Sequence, residues 1–407
     1  GSYIVKKMTK TGIASAMLLA GMGTAAADIA ESKGGITVRT EDGRFESSVE
    51  GRIMLDFAAF DNSDIAGAGE NVGGTEFRRV RFGVAGTLFG WEYKLEPDFA
   101  DDGVSFKDLY IATKVGPGKL YLGQFKQFFS IEELTSSRYI TFQERSFLTQ
   151  SLSTSHQVGI GFQGNADALT YGVSVYNIDT NDAESNESIG FGGRLTFAPI
   201  NEDGRTLHLG AAAARESVGV SNTPDTDDNE RVRSRVRVAG HMSDASRPTL
   251  IDLNNGERVE TIKYGLEAAA VFGPFSLQAE YGMGDFEDNT EEAELSSYNV
   301  FASYFLTGES RPYDAKKGRF GQIKPKSKSG ALEIAIRFDS ATGEENPLNA
   351  GLSRDIEATA LTFGVNWYPN PNVRFMLNYI DAEIENNLAS MKTDDPSAIT
   401  GRVQIHF

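Results

Sequence analysis

The chain has 407 residues and a formal net charge of −18, with 39 Lys and Arg against 57 Asp and Glu. It contains no cysteine, which excludes disulfides and zinc sites built from thiolates. Its length does not decide the number of domains, because a long β-barrel can form a single domain.

The first residues have the pattern of an export signal. Three lysines precede the apolar run GIASAMLLAGMG, and the TAAAD that follows offers an Ala-x-Ala cleavage site before Asp28. The apolar run spans about 12 residues, fewer than the roughly 20 that a membrane-spanning helix needs. We therefore expect residues 1–27 to be a cleaved signal peptide rather than a membrane anchor, with Gly1 and Ser2 as a cloning remnant and Met8 as the native start.

Beyond Asp28 the sequence repeats runs of about ten residues in which apolar side chains alternate with polar or small ones. In EFRRVRFGVAGTLFG, Val80 and Phe82 fall on one face of an extended chain and Arg79 and Arg81 on the other. One face suits lipid and the other suits water, which is typical of a transmembrane antiparallel β-barrel. A secreted β-sandwich or β-solenoid fits less well, because the runs are long and no repeat of fixed length occurs.

Short turns alternate with longer polar loops, and we count about sixteen strands, an even number that returns both ends of the barrel to the periplasm. This all-β interpretation assigns residues 28–44 to a periplasmic N-terminal segment and residues 45–407 to the barrel. Segment 307–329 is long for a turn, and loop 127–155 after the fifth strand is the candidate for folding inward and constricting the pore. We expect an interfacial aromatic girdle at strand ends, from Trp91, Phe305, Trp367 and Tyr368. The other longer loops are expected near 61–74, 178–187, 217–258, 286–294, 340–355 and 385–397.

A regular basic stripe stands out in this acidic chain. In ERVRSRVRVAG every second residue from 231 to 237 is arginine, so the guanidinium groups share one side of an extended strand and valines share the other. A lipid-facing position is excluded, because arginine at the bilayer midplane costs on the order of 2–4 kcal/mol. The stripe is therefore either a solvated loop tip or part of a loop that folds inward and turns its guanidinium face to the lumen.

Basic residues elsewhere favour the second alternative. They occur in the first strand, on the polar face of the second, and around the loop after the fifth: Arg52, Arg79, Arg81, Lys126, Arg138 and Arg145. Rings of Arg and Lys make anion pores, because a guanidinium group is always charged, weakly hydrated and able to fork onto phosphate or carboxylate oxygens. The pattern predicts a pore that attracts anions.

The sequence gives little indication of catalysis, metal binding or nucleic-acid binding. We find no phosphate-cradling loop and no His-Glu-x-x-His zinc motif, so no enzyme activity and no cofactor are expected. His241, Ser243 and Asp244 lie close together, but catalytic triads are assembled in space from separate segments. Acidic clusters at 223–230 and 287–294 are interpreted as solvated loops rather than divalent-ion or lipopolysaccharide-bridging sites. An exported, acidic chain also argues against nucleic acid as a partner.

Several segments together resemble the phosphate-selective porins O and P of Gram-negative outer membranes. They include EGRIMLDF, FRRVRF, ELTSSRYITFQERSF, the arginine stripe, FSLQAEYG, YFLTGESRPYDAKKGRFGQIKP and LTFGVNWYPN. The resemblance covers nearly the whole chain after residue 27. It implies a homotrimer of sixteen-stranded barrels, each with its own channel for phosphate or polyphosphate, and a C-terminal aromatic, Phe407, that serves as an assembly signal.

The resemblance also implies roles for individual residues. Anion-relay residues are Arg78, Arg79, Arg231, Arg233 and Arg235; basic residues of the narrow region are Arg52 and Arg145; Lys33 resembles a lysine of the periplasmic side. One departure concerns the constriction, where Glu133 stands in place of the family's central lysine, with Lys126 as its expected neutralising partner. We therefore keep three interpretations open: a small-anion porin, a weakly selective or organic-anion porin, and a barrel that acts as an adhesin or surface hydrolase.

Overall fold

Sixteen antiparallel strands form a closed barrel, because the last of them pairs with the first. The computed structural model describes residues 29–32, 36–61, 73–100, 103–178, 188–219, 231–243, 246–253, 258–348, 351–389 and 391–407. The barrel strands are β3 (Phe45–Asp61), β4 (Gly73–Leu88), β5 (Trp91–Asp98), β6 (Ser105–Val115), β7 (Gly118–Lys126), β8 (His156–Ala166), β9 (Leu169–Asn177), β10 (Ile189–Glu202), β11 (Arg205–Gly219), β14 (Arg258–Phe272), β15 (Phe275–Glu287), β16 (Glu291–Phe305), β19 (Ala331–Pro347), β20 (Arg354–Asn370), β21 (Val373–Asn386) and β23 (Ser397–His406). The predicted all-β fold and strand number are confirmed.

Shorter elements occupy the two ends and the lumen of the barrel. They are β1 (Ile29–Ser32), β2 (Ile36–Arg39), β12 (Val232–Arg235), β13 (Thr249–Leu253), β17 (Tyr313–Asp314), β18 (Arg319–Phe320) and β22 (Met391–Asp394), with helices α1 (Ile131–Leu134) and α2 (Phe147–Ser151). Strands β1 and β2 continue the sheet from the start of β3. Within the described ranges no helix is long and apolar enough to cross a membrane.

The two faces of each barrel strand differ as the alternation predicts. On β20, Phe363, Val365 and Trp367 are exposed on the outer face, whereas Thr362 and Asn366 are buried on the inner face. Outside-apolar, inside-polar alternation is what a strand between lipid and a polar lumen requires. The buried side of this molecule is therefore its lumen.

The loop between β7 and β8, residues 127–155 and hereafter the inward loop, crosses that lumen. Arg374 donates to the carbonyls of Ile140 (2.6 Å) and Thr141 (2.8 Å), and Arg402 donates to the carbonyl of Gln143 (2.6 Å). Irregular backbone buried away from water needs partners for its carbonyl groups, and arginines on the opposite wall supply them. The predicted inward-folded loop is confirmed.

The arginine stripe belongs to a second inward segment. Strands β12 and β13 form a hairpin, the stripe hairpin, whose Leu250 packs against the inner face of β19 at Gly343. A Cβ at Gly343 would collide with the carbonyl oxygen of Leu250, so glycine permits this close approach. Ser234 in the hairpin donates to the carbonyl of Ser151 in the inward loop (3.1 Å).

A third segment, residues 306–330, enters from the end where the turns are short. Arg311 lies 3.6 Å above the ring centroid of Phe320, and Phe320 packs against Ile131 of the inward loop. The extra length noted in the sequence is thus a folded plug rather than a turn. The girdle prediction is wrong for two residues, because Phe305 and Tyr368 are 1% and 7% exposed and pack inward beneath this segment.

Two predicted loops are shorter than expected because the strands extend through them. Only residues 288–290 separate β15 from β16, and residues 348–353 separate β19 from β20. The acidic run at 291–294 is strand, with Ala293 buried in the cluster that includes Leu250. The acidic cluster at 223–230 lies outside the described residues.

We expect Arg402→Met to destabilise the barrel and release the inward loop. Arg402 contacts both carboxylate oxygens of Asp56 (2.6 and 2.7 Å) and Glu144 (2.8 Å), all of them poorly exposed. Removing one partner of a buried ion pair costs about 3–5 kcal/mol. The unfolding temperature of the purified protein, read from heat-dependent mobility on gels, should fall clearly below that of Arg205→Met, a substitution at an exposed turn. Equal midpoints for the two variants would contradict the anchoring role.

Candidate functional site

A cavity of about 620 Å³ lies between the inward loop, the wall formed by β3–β8, and segment 306–330. Among the described residues, twelve lysines and arginines line it, against six carboxylates. The cations are Arg52, Arg78, Arg79, Arg81, Lys94, Lys107, Lys119, Lys126, Arg138, Arg145, Lys317 and Arg319; the carboxylates are Glu92, Glu96, Asp98, Asp108, Glu133 and Asp314. The cavity is thus positively charged inside a chain whose net charge is −18.

A β-bulge aims two consecutive arginines into this cavity. The β3–β4 register passes from Met54 opposite Arg79 to Leu55 opposite Phe77, which leaves Arg78 as the extra residue. Strict alternation would turn Arg78 to the outer face, whereas both arginines line the cavity. Sequence periodicity could not reveal this local change of register.

The two arginines have different partners. Arg78 forms a bidentate pair with Glu144 of the inward loop, both distances being 2.9 Å. Arg79 is 6% exposed, and in the described part of the chain no carboxylate lies within 4 Å of its guanidinium group; its contact is with the sulfur of Met54 (3.7 Å). Arg79 therefore has charge left for a solute, because its neighbours do not neutralise it.

Arg52 and Arg81 belong to an ion-pair network on the same wall. Both contact Glu96, and Arg81 also contacts Asp98 (2.7 Å). Arg52 donates in addition to the hydroxyl of Ser137 in the inward loop (2.8 Å). These carboxylates compensate much of the cationic charge, so the network mainly holds the loop against the wall.

Glu133 lies between two cations. One carboxylate oxygen is 3.4 Å from Nζ of Lys126 and the other is 3.3 Å from Nε of Arg145, while the Ser155 hydroxyl donates to it (2.9 Å). Burial raises the pKa of Glu133, but Arg145 and then Lys126 outweigh that effect and bring it down to about 2. The carboxylate is ionised at neutral pH, and two basic side chains flank it.

The remaining site residues lie elsewhere. Arg231, Arg233 and Arg235 are half-buried on the stripe hairpin and do not line this cavity; Arg231 is 3.2 Å from Asp252. The valine side of the stripe is covered, with Val236 fully buried. Lys33 lies outside the described residues.

Sequence reasoning missed the basic residues that segment 306–330 contributes. Lys317 and Arg319 line the cavity from the end opposite the stripe hairpin. Their one signal was the unusual length of the segment together with the basic run AKKGR. Nothing in the local pattern indicated that this segment would turn into the lumen, because its contacts come from the barrel wall and the inward loop, which are distant in sequence.

Comparison with known proteins agrees with this architecture. The profile of the family described as phosphate-selective porin O and P matches residues 48–407. Porin O of Pseudomonas aeruginosa is 30% identical, with 94% of each chain covered. An uncharacterised protein of Caulobacter vibrioides is 29% identical over 81% of this chain and 67% of its own.

Solved structures show the same fold at low sequence identity. An anion-selective porin from Comamonas acidovorans has a TM-score of 0.56 at 13% identity, covering 89% of this chain and 100% of its own. The trimer form of OmpT, an outer membrane protein of Vibrio cholerae, has a TM-score of 0.57 at 12% identity, covering 89% of this chain and 99% of its own. From its fold and from the match over residues 48–407, the chain belongs to the phosphate-selective porin O and P family and is an outer-membrane porin of a Gram-negative bacterium.

Proposed function

We propose that this porin is a passive channel for small anions, with phosphate or polyphosphate as the solute that the family suggests. The observation that carries the proposal is the charge of the lumen cavity, where twelve cations face six carboxylates. Low-dielectric walls strengthen such a field and concentrate counter-ions at the constriction. The family and the fold point to a channel rather than to an enzyme.

In the proposed mechanism an anion passes through a series of weak sites. The arginine side of the stripe hairpin gathers anions at the outer mouth, and Arg78 and Arg79 receive them next. Guanidinium groups suit this role because they stay charged, are weakly hydrated and bind oxyanions in a bidentate manner. Since Arg79 has no carboxylate partner among the described residues, we assign it the tightest of these contacts. Several sites in series allow an anion to leave as readily as it enters.

Glu133 decides between this proposal and a weakly selective or organic-anion porin. A free carboxylate at the constriction would repel phosphate, since two unit charges about 4 Å apart interact by roughly 4 kcal/mol at an effective dielectric of 20. Its pairing with Lys126 and Arg145 supports anion passage, because the carboxylate is then engaged by basic side chains rather than free to repel an anion.

We further propose that the functional unit is a homotrimer embedded in lipid and lipopolysaccharide. Large apolar side chains are exposed on the outer face of the barrel, for example Phe191 (52%) and Leu266 (61%). Such side chains need either lipid or another barrel against them. The structure of Vibrio cholerae OmpT in a trimer form supports the trimeric alternative for part of this surface. The proposed role of Lys33 on the periplasmic side is supported by the resemblance of this residue to a periplasmic-side lysine of the family.

The first test measures the reversal potential across a planar bilayer that holds the purified protein in a potassium chloride gradient, and then the block of current by added phosphate. We expect anion preference and phosphate block in the wild type. Arg79→Gln should weaken the block roughly ten-fold, because a charge-assisted hydrogen bond contributes about 1.5–3 kcal/mol. Arg205→Gln, at an exposed turn, is the matched control and should leave the block unchanged.

Other outcomes of that test separate the remaining interpretations. Cation preference without phosphate block would mean that Glu133 dominates the constriction. A protein that folds as a barrel but conducts no current would favour the adhesin or surface hydrolase interpretation.

The pKa of Glu133 predicts how selectivity depends on pH. Because its folded pKa is about 2 against an ordinary 4.5, the carboxylate stays ionised at pH 4. The stabilisation from its ion pairs is fully present above about pH 4.5 and is lost as pH falls toward 2.

Glu133→Gln should therefore raise anion preference at both pH 7 and pH 4, by at least about two-fold. Glu202→Gln, at an exposed turn, should not change it. Wild-type selectivity that matched Glu133→Gln already at pH 4 would contradict this assignment.

A further inference from the structure

Four aromatic residues line the same cavity on the wall between the inward loop and the periplasmic end, and we call them the aromatic corner: Tyr110, Tyr121, Phe125 and Phe128. The rings of Tyr110 and Tyr121 meet edge to face at 5.3 Å, and the chain of contacts continues through Phe125 to Phe128 at 5.6 and 6.0 Å. The two phenylalanines are buried behind the tyrosines, whose rings are half-buried and face the cavity.

Glycines make room for this cluster. A Cβ at Gly161 would lie 2.6 Å from the ring of Phe125, and one at Gly172 would lie 2.7 Å from the ring of Phe128. Gly123 stands directly opposite Tyr110 in the β6–β7 pairing, with a φ of +126°. A larger side chain at Gly161 or Gly172 would push the rings away from the wall, and one at Gly123 would meet the backbone of Leu109 and Tyr110. The corner is therefore a fixed surface rather than a loose patch.

Polar groups beside the rings are open to a solute. In the described part of the chain the phenol groups of Tyr110 and Tyr121 have no hydrogen-bond partner. Both interact electrostatically with the carboxylates of Asp108 and Glu92 and with Arg319. The two carboxylates are themselves paired, Asp108 with Lys94 (2.8 Å) and Glu92 with Lys119 (2.6 Å). Arg319 donates to the carbonyl of Leu134 (3.1 Å) and has no carboxylate within 4 Å among the described residues. A guanidinium group, two phenol donors and two ring surfaces thus face one space. Inorganic phosphate can bind the guanidinium group and the two phenol donors, but it cannot pack against the rings because it has no apolar face.

We propose that the aromatic corner and Arg319 form a binding site for organic anions that carry an aromatic ring, such as aromatic carboxylates. The carboxylate binds Arg319 and the phenol groups, and the ring packs in the angle between Tyr110 and Tyr121. This inference rests on the proposed anion channel, since the solute must enter the cavity first. It adds a class of solute that recognises the rings as well as the charge.

The test compares block of single-channel current by benzoate and acetate, which share one charge and differ in their apolar part. We expect benzoate to block at concentrations about three to ten times lower than acetate, the range that one aromatic contact supplies. The variant with Tyr110→Leu and Tyr121→Leu should lose that difference while the channel stays anion-selective. Tyr281→Leu, on the exposed outer face, is the matched control and should retain it.

A second variant keeps the test decisive if the leucine variant does not fold. With Tyr110→Phe and Tyr121→Phe the rings remain and the hydroxyls are lost, so benzoate should bind more weakly and still better than acetate. Equal block by benzoate and acetate in a wild-type channel that remains anion-selective would overturn this site and leave the proposed function intact. A benzoate preference that survives in the leucine variant would also overturn it. A wild-type channel that shows no anion selectivity would instead overturn the proposed function.

Discussion

The arginine contacts between the barrel wall and the inward loop are the interaction on which the rest of the structure depends. Arg337, Arg374 and Arg402 donate to loop carbonyls at 2.6–2.9 Å and hold irregular backbone across a lumen that would otherwise be wide. Without these donors the buried carbonyls of the loop would lack partners, and the cost of each would oppose the inward conformation. The cavity exists because this loop is held in place.

Arginine thus has two roles in one lumen, and burial does not distinguish them. Arg402 is 1% exposed and has its charge compensated by Asp56 and Glu144, so it is structural. Arg79 is buried to a similar degree and lacks a carboxylate among the described residues, so its field reaches the cavity. Whether an arginine is structural or attracts anions depends on whether carboxylates are paired with it, and not on how many basic residues lie nearby.

Much of the fold was predictable, and the site only in part. Alternation in EFRRVRFGVAGTLFG and LTFGVNWYPN predicted strands with one lipid face, because the side-chain period of a strand is two. The same rule failed at Arg78, where a bulge adds one residue. The girdle prediction failed at Phe305 and Tyr368 because it used only their position at strand ends, whereas alternation places both on the inner face. Lys126 was expected to neutralise Glu133, and Arg145 contacts the same carboxylate from within the inward loop.

The sequence by itself determined the barrel, its strand number, the inward loop and the presence of an arginine stripe, because these follow from local periodicity and composition. Only the tertiary structure decided which charges stand together. Segment 306–330 brings Arg319 to Tyr110 and Tyr121, residues about 200 positions away in the chain. It also decided that the stripe hairpin lies against the inner wall and that Glu133 sits between two cations. Such pairings arise from closure of the sheet and from packing inside it, which no local pattern encodes.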